Sequence, residues 1–132
     1  MIRPLVDSKE NIVRAIRTAD WDKKKNRFSS DLFKGPYTSV SRLSILSLKE
    51  LFEIFHRDLD REISDPPNIV RWAGEINVGN MQRIGLTHQK PIQITVEQDP
   101  TPNNIAHAEI IQKLSRGLSI KIINSLIIHE DK

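Results

Sequence analysis

The chain has 132 residues, 38% of them hydrophobic and 28% charged, with a net charge of +3 at pH 7. That is enough chain to bury a core without staples, and the absence of Cys excludes disulfides and thiolate metal centres. No apolar run reaches the roughly 18 residues of a membrane span, and the acids and Pro in MIRPLVDSKE break up a signal-peptide core, so the expected setting is cytoplasmic.

The positive charge is concentrated at the front. Residues 1–34 hold nine Lys and Arg against five acids, a net +4, and the remainder is net −1. This asymmetry points to a nucleic acid or an acidic protein surface as partner, although it falls short of the basic face of a dedicated DNA-binding domain. The residues that would meet such a partner are Arg14, Arg17, Lys23, Lys24, Lys25, Arg27, Ser29, Ser30 and Lys34, together with the loop 98–104.

In chain order, NIVRAIR (11–17) fits a strand, or a helix opened by Asp7 with Glu10 completing a capping box; the polar excursion that follows favours the strand. In DWDKKKNR a Trp heads a run of cations, which suits base stacking beside phosphates, but also a solvated loop with one anchoring ring. RFSSDLFKG offers hydroxyls and cations for a phosphate, yet Ser29 or Ser30 as an N-cap with Asp31 in the first turn explains it more simply. YTSVSRLSI reads as a short strand.

SLKELFEIFHRDL carries a capping box, Ser47 with Glu50, and an apolar stripe of Leu48, Leu51, Phe52, Phe55 and Leu59, so a helix is expected over 47–60 with SDPPN ending it. IVRWAGEINV (69–78) alternates as a strand, GNMQRIG is a short helical turn, and PIQITVEQ is a strand with Ile92, Ile94 and Val96 inward. IAHAEII is read as its neighbour, with Ala106, Ala108 and Ile110 on one face. A second helix, capped by Ser115 and striped by Leu118, Ile122 and Leu126, is expected over about 114–128. The sum is one α+β domain over 1–132: a mostly antiparallel sheet of about four or five strands covered by two main helices.

RFSSDLFK, TSVSRLS and DPTPNNIAHAEI, in this order over about residues 11–126, resemble the blocks of a family of small uncharacterised bacterial proteins. The resemblance implies a bacterial single-domain protein and attaches no activity. It marks Ser29, Ser30, Phe33, Ser39, Val40, Pro100, Pro102, Asn104 and His107 for attention; Ile105 stands where the family pattern has Pro.

The stretch QDPTPNNIAHAEI also has a reading of its own. Two prolines stiffen the bend, each contributing at most about 1 kcal/mol through the unfolded state, and Asn103 and Asn104 are expected to supply left-handed geometry. Alternation then puts Glu97, His107 and Glu109 on the polar side of one hairpin, with Asp99 near its tip. Such a set can ligate a divalent metal or act as a base with its orienting acid; a solvated sheet face with a His–Glu pair is the plainer account. As an enzyme, the chain would bring Arg14, Ser30, His107 and Glu109 together for ADP-ribosyl-transfer-like or metal-dependent phosphodiester chemistry on a nucleotide or nucleic acid. There is no GxxxxGK[ST], GxGxxG or GxSxG pattern, so no cofactor is implied and Ser-based acyl transfer has no motif behind it.

Overall fold

Alternation along the first strand decides the layers. In β1 (Asn11–Arg17), Ile12 and Ile16 are buried in one apolar cluster and Val13 in another, so this strand separates two cores. The computed structural model describes residues 2–131. After β1 come β2 (Trp21–Asp22), β3 (Arg27–Phe28), a 3-10 turn at Ser30–Phe33, β4 (Thr38–Arg42), α1 (Leu48–Leu59), β5 (Val70–Asn77) and α2 (Val78–Leu86). Then follow β6 (Val96–Gln98), β7 (His107–Ile110), α3 (Arg116–Asn124) and β8 (Ile127–Glu130). Six strands form one antiparallel sheet in the order β6-β7-β4-β1-β5-β8, and β2 and β3 make a separate two-stranded ribbon. The fold is α+β as expected, with six strands in the main sheet and α2 as a third full helix.

The helix α1 lies over one face. Leu51, Phe52 and Phe55 pack on Val13, Val70, Ala73 and Ala106. On the other face α2, α3 and the 3-10 turn supply Met81, Leu118, Ile122 and Phe33 against Ile12, Ile76, Val96 and Ile110. The Ser47 hydroxyl accepts from Glu50 N–H and the Glu50 carboxylate accepts from Ser47 N–H, so the capping box is formed. The helix stops at Leu59, before SDPPN: Asp60 is already extended and its carboxylate accepts the N–H of Val70 at 2.8 Å.

Four expectations need correction. Residues 91–95 are not in the ladder. Ile92 N–H donates to Gly85 O at 3.1 Å, Gln82 Nε2 donates to Ile94 O at 3.0 Å, and the Gln112 side chain accepts Thr95 N–H at 2.8 Å. The backbone that alternation assigns to a strand neighbour is thus mostly taken up by α2 and Gln112; Thr95 O alone reaches across, accepting Ile111 N–H at 3.2 Å, and the β6 ladder begins at Val96. The tail helix ends at Asn124 rather than near 128, because Ile127–Glu130 pairs antiparallel with β5. Ala106 does not share a face with Ala108 and Ile110: it precedes β7 and packs in the α1 core, whereas the other two face the α2–α3 side. Finally, neither Asn103 nor Asn104 is left-handed; among the described residues positive φ occurs at Asn26, Gly35 and Tyr37.

Candidate functional site

The face of β6, β7 and β4 that α1 leaves uncovered is polar. Register sets Glu97 and Ser39 on either side of Glu109, and Ser41 beside His107. Glu97, His107 and Glu109 therefore do share the polar side of one hairpin, with Asp99 at its end. Two glutamates directly opposite one another repel. Arg3 resolves this: its Nη1 donates to Glu109 at 2.8 Å and lies 3.5 Å from Asp99, while its Nε lies 3.6 Å from Glu97. Those three acids hold the Arg3 pKa above its usual value, the Glu109 hydrogen bond foremost and burial opposing. Arg3 gets there because residues 4–6 run along the edge of β6, with Gln98 N–H donating to Pro4 O and Val6 N–H to Val96 O, both at 2.8 Å. Sequence reading missed Arg3, whose role depends on a pairing between residues some ninety positions apart.

Ligating atoms of Asp99, His107 and Glu109 lie within 4.8 Å of one another, so the structure gathers three of the four metal candidates, with Glu97 alongside. The imidazole of His107 has a defined orientation. Its Nδ1 faces two acceptors, Asp99 O at 2.9 Å and Asp99 Oδ2 at 3.2 Å, and so is assigned the proton. The lone pair is then on Nε2, which accepts from the Ser39 hydroxyl at 3.1 Å. A protonated Nδ1 and the guanidinium of Arg3 both stand where a cation would bind, so the arrangement favours acid–base work by His107 over metal ligation.

That Ser39–His107 pair opens onto a cavity of about 360 Å³ between α1, the 101–104 loop and the gap where β1 and β4 part. Pairing of β1 with β4 extends only over Ile12↔Arg42 and Val13↔Ser41. Beyond it Arg14 bridges the gap, its Nε donating to Leu32 O at 3.1 Å and its Nη1 to Ser39 O at 3.3 Å. Burial pushes the Arg14 pKa below the usual arginine value; Asp20 opposes the shift and Arg17 adds to it. The loop wall is pinned by hydrogen bonds. Buried Asn104 donates to Ser41 Oγ and accepts from Ala106 N–H, each at 3.0 Å, and Arg57 of α1 donates to Asn103 O at 2.8 Å. Ser39, Val40, Asn104 and His107, four of the residues marked by the family resemblance, all line this cavity.

The enzyme set divides here. Arg14 and His107 line the cavity; Ser30 and Glu109 do not. The carbonyl of Ser30 accepts the Ser119 hydroxyl of α3, and Ser29 is the N-cap of the 3-10 turn, accepting Asp31 N–H at 3.2 Å. The pairing of Ser39 with His107 escapes sequence reading because it follows from the β4–β7 register, which neither segment alone discloses.

The basic set also divides. Arg17 Nη1 donates to Leu59 O at the end of α1, and Lys34 pairs with Asp31 at 3.1 Å. Lys23, Lys24 and Lys25 are exposed at the turn of the β2–β3 ribbon, where the Asp22 carboxylate accepts two backbone N–H groups and Asn26 takes φ 52°. Arg27 sits in β3 beside them. Trp21, Phe28 and Trp72 meet edge to face with centroids 5.1 Å apart in each pair, and Arg71 lies 5.1 Å over the Trp72 ring. These three rings, with Thr18, Lys23 and Arg71, line a second recess of about 480 Å³. Searched against family models, curated proteins and solved structures, the chain matches none.

Proposed function

We propose that this protein is a binding module for a single-stranded nucleic acid, held across the β2–β3 ribbon. The observation that carries the reading is the coincidence of three exposed lysines with an aromatic recess beside them. Ammonium groups take phosphates, and an aromatic face takes a base whatever its identity. Lys23 and Arg71 line the recess itself, so cation and ring sit within one footprint. Arg14 and Arg17 are engaged on backbone carbonyls and Lys34 in an ion pair, which leaves the ribbon as the main cluster of open cations in the candidate set. On this reading the protein works in the cytoplasm, without a cofactor.

The test is fluorescence anisotropy with a labelled oligonucleotide at several salt concentrations. Each single-strand phosphate contact adds about 0.7 to the slope of log K against log salt. Replacing Lys23, Lys24 and Lys25 together by Ala flattens that slope by up to about 2 units. Binding also quenches indole emission, since both tryptophans of the chain line the recess. Salt-independent binding, or a triple variant with the wild-type slope, sinks the reading. A second reading, an enzyme, is favoured by one observation: His107 and Arg14 line the same cavity.

A further inference from the structure

The cavity beside α1 shares no lining residue with the aromatic recess, so it is a separate site whatever the ribbon binds. At its mouth three groups stand in series. The backbone carbonyl of Asp99 accepts Nδ1–H of His107 at 2.9 Å, with the Asp99 carboxylate 3.2 Å from the same nitrogen, and Nε2 of His107 accepts the Ser39 hydroxyl at 3.1 Å. A serine that merely satisfies a neighbouring histidine needs neither a fixed tautomer nor a cavity. Here the tautomer is the one a general base requires, with its lone pair on the serine and its far nitrogen held by the Asp99 carbonyl beside the Asp99 carboxylate. Ser39 is exposed, so its Oγ is open to a reactant.

We propose that Ser39 is the nucleophile of an acyl-transfer centre, with His107 as its general base and Asp99 as a positioning residue. The substrate class is a carboxylic ester with a small apolar acyl group. Ile54, Phe55 and Leu59 of α1 with Val13 and Ala15 of β1 form the apolar wall that receives the acyl chain, and about 360 Å³ is the scale of a small-ligand pocket. Arg14, anchored on the carbonyl of Ser39 at 3.3 Å, brings positive charge to the serine end, where negative charge develops on the carbonyl oxygen.

The step balances without a redox partner. Ser39 Oγ bonds to the acyl carbon as its proton passes to His107 Nε2. The bond to the alkoxy oxygen breaks, and that oxygen leaves with the proton as an alcohol. Water then attacks the Ser39 ester and gives its proton to Nε2. The carboxylic acid departs as the proton returns to Ser39 Oγ.

The experiment treats the full chain with a fluorophosphonate probe, which reacts only with an activated hydroxyl, and locates the adduct by peptide mass. A single adduct on Ser39 is expected, absent in Ser39→Ala and at least about 100-fold slower in His107→Gln. Hydrolysis of p-nitrophenyl butyrate follows the same pattern, and Asp99→Asn lowers kcat while leaving KM unchanged, which a general loosening of the loop would not do. Should His107→Gln fail to fold, Ser39→Cys gives a second measurement. Its alkylation by iodoacetamide outpaces that of Ser125→Cys, at an exposed position, by at least about tenfold, as befits a thiol beside a base. Absence of a Ser39 adduct, an adduct rate unchanged by His107→Gln, or alkylation of Ser39→Cys no faster than that of Ser125→Cys overturns the proposal.

Discussion

His56 is held from both sides. Its Nδ1 lies 2.8 Å from Asp60 Oδ2, and its Nε2 is bonded to Asp131 beyond the end of β8. With a carboxylate at each nitrogen the ring favours its charged form, and its pKa is raised above the ordinary value of 6.5. The Asp131 hydrogen bond contributes most, burial opposes it, and the Asp60 bond and both charges add to it. A proton bound more tightly in the fold than in the open chain stabilises the fold fully below the unfolded pKa, and the benefit disappears as pH climbs through the folded one. His56→Gln therefore destabilises the protein at about pH 6 and leaves it nearly unchanged at about pH 9. Because the groups are partly exposed, the loss at the lower pH is at most about 1 kcal/mol. Urea denaturation of both proteins at the two pH values checks this; an equal loss at each pH would assign the effect to packing.

Gly85 shows how one element can pull another out of a sheet. A Cβ built there would lie 2.7 Å from Ile92 O and 2.9 Å from the Ile94 side chain, so the helix and the 91–95 segment touch backbone to backbone. Gly to Ala inside a helix ordinarily gains up to about 1 kcal/mol. At Gly85 the clash with a fixed carbonyl reverses the sign, and a loss of about 1–3 kcal/mol is expected. Gly117 in α3 provides the control, since its added Cβ meets only His88 Cε1 at an ordinary 3.8 Å; there Ala is neutral or stabilising. Thermal unfolding of the two variants decides it, and Gly85→Ala as stable as wild type would refute the close approach. The same contrast explains which elements were legible beforehand. The signals of α1 are local: Ser47, Glu50 and a stripe confined to the helix itself. The alternation of Ile92, Ile94 and Val96 is equally clear, but alternation gives only the side-chain faces. The destination of the backbone bonds depends on Gly85, Gln82 and Gln112, and sequence periodicity is silent about them. Similarly, β8 is a strand because β5 offers it an edge, and His107 is legible as an outward residue near Asp99 while its pairing with Ser39 emerges only with the β4–β7 register.

At the scale of the whole molecule the sheet carries two separate cores, one beneath α1 and one beneath α2 and α3. Layers on opposite faces of a sheet can unfold separately if the strands between them tolerate losing one cover. Here they do not, because β1 contributes Ile12 and Ile16 to one core and Val13 to the other, and β5 contributes Ile76 to one and Ala73 to the other. Stripping either face exposes the shared central strands to water and removes the support for their register. The two cores should therefore unfold in a single transition. Leu51→Ala in α1 and Ile122→Ala in α3 each remove a fully buried side chain and cost about 2–5 kcal/mol. The diagnostic lies in the probes. Trp72 packs on the α2–α3 core and meets Trp21 through Phe28, so indole fluorescence reports one face, whereas far-ultraviolet dichroism reports all three helices. In urea, Leu51→Ala is expected to move both signals to the same lower midpoint with an unchanged slope. If the fluorescence midpoint stays at its wild-type value while the dichroism falls early, α1 is an independently melting cover, and the shared strands do not couple the two faces.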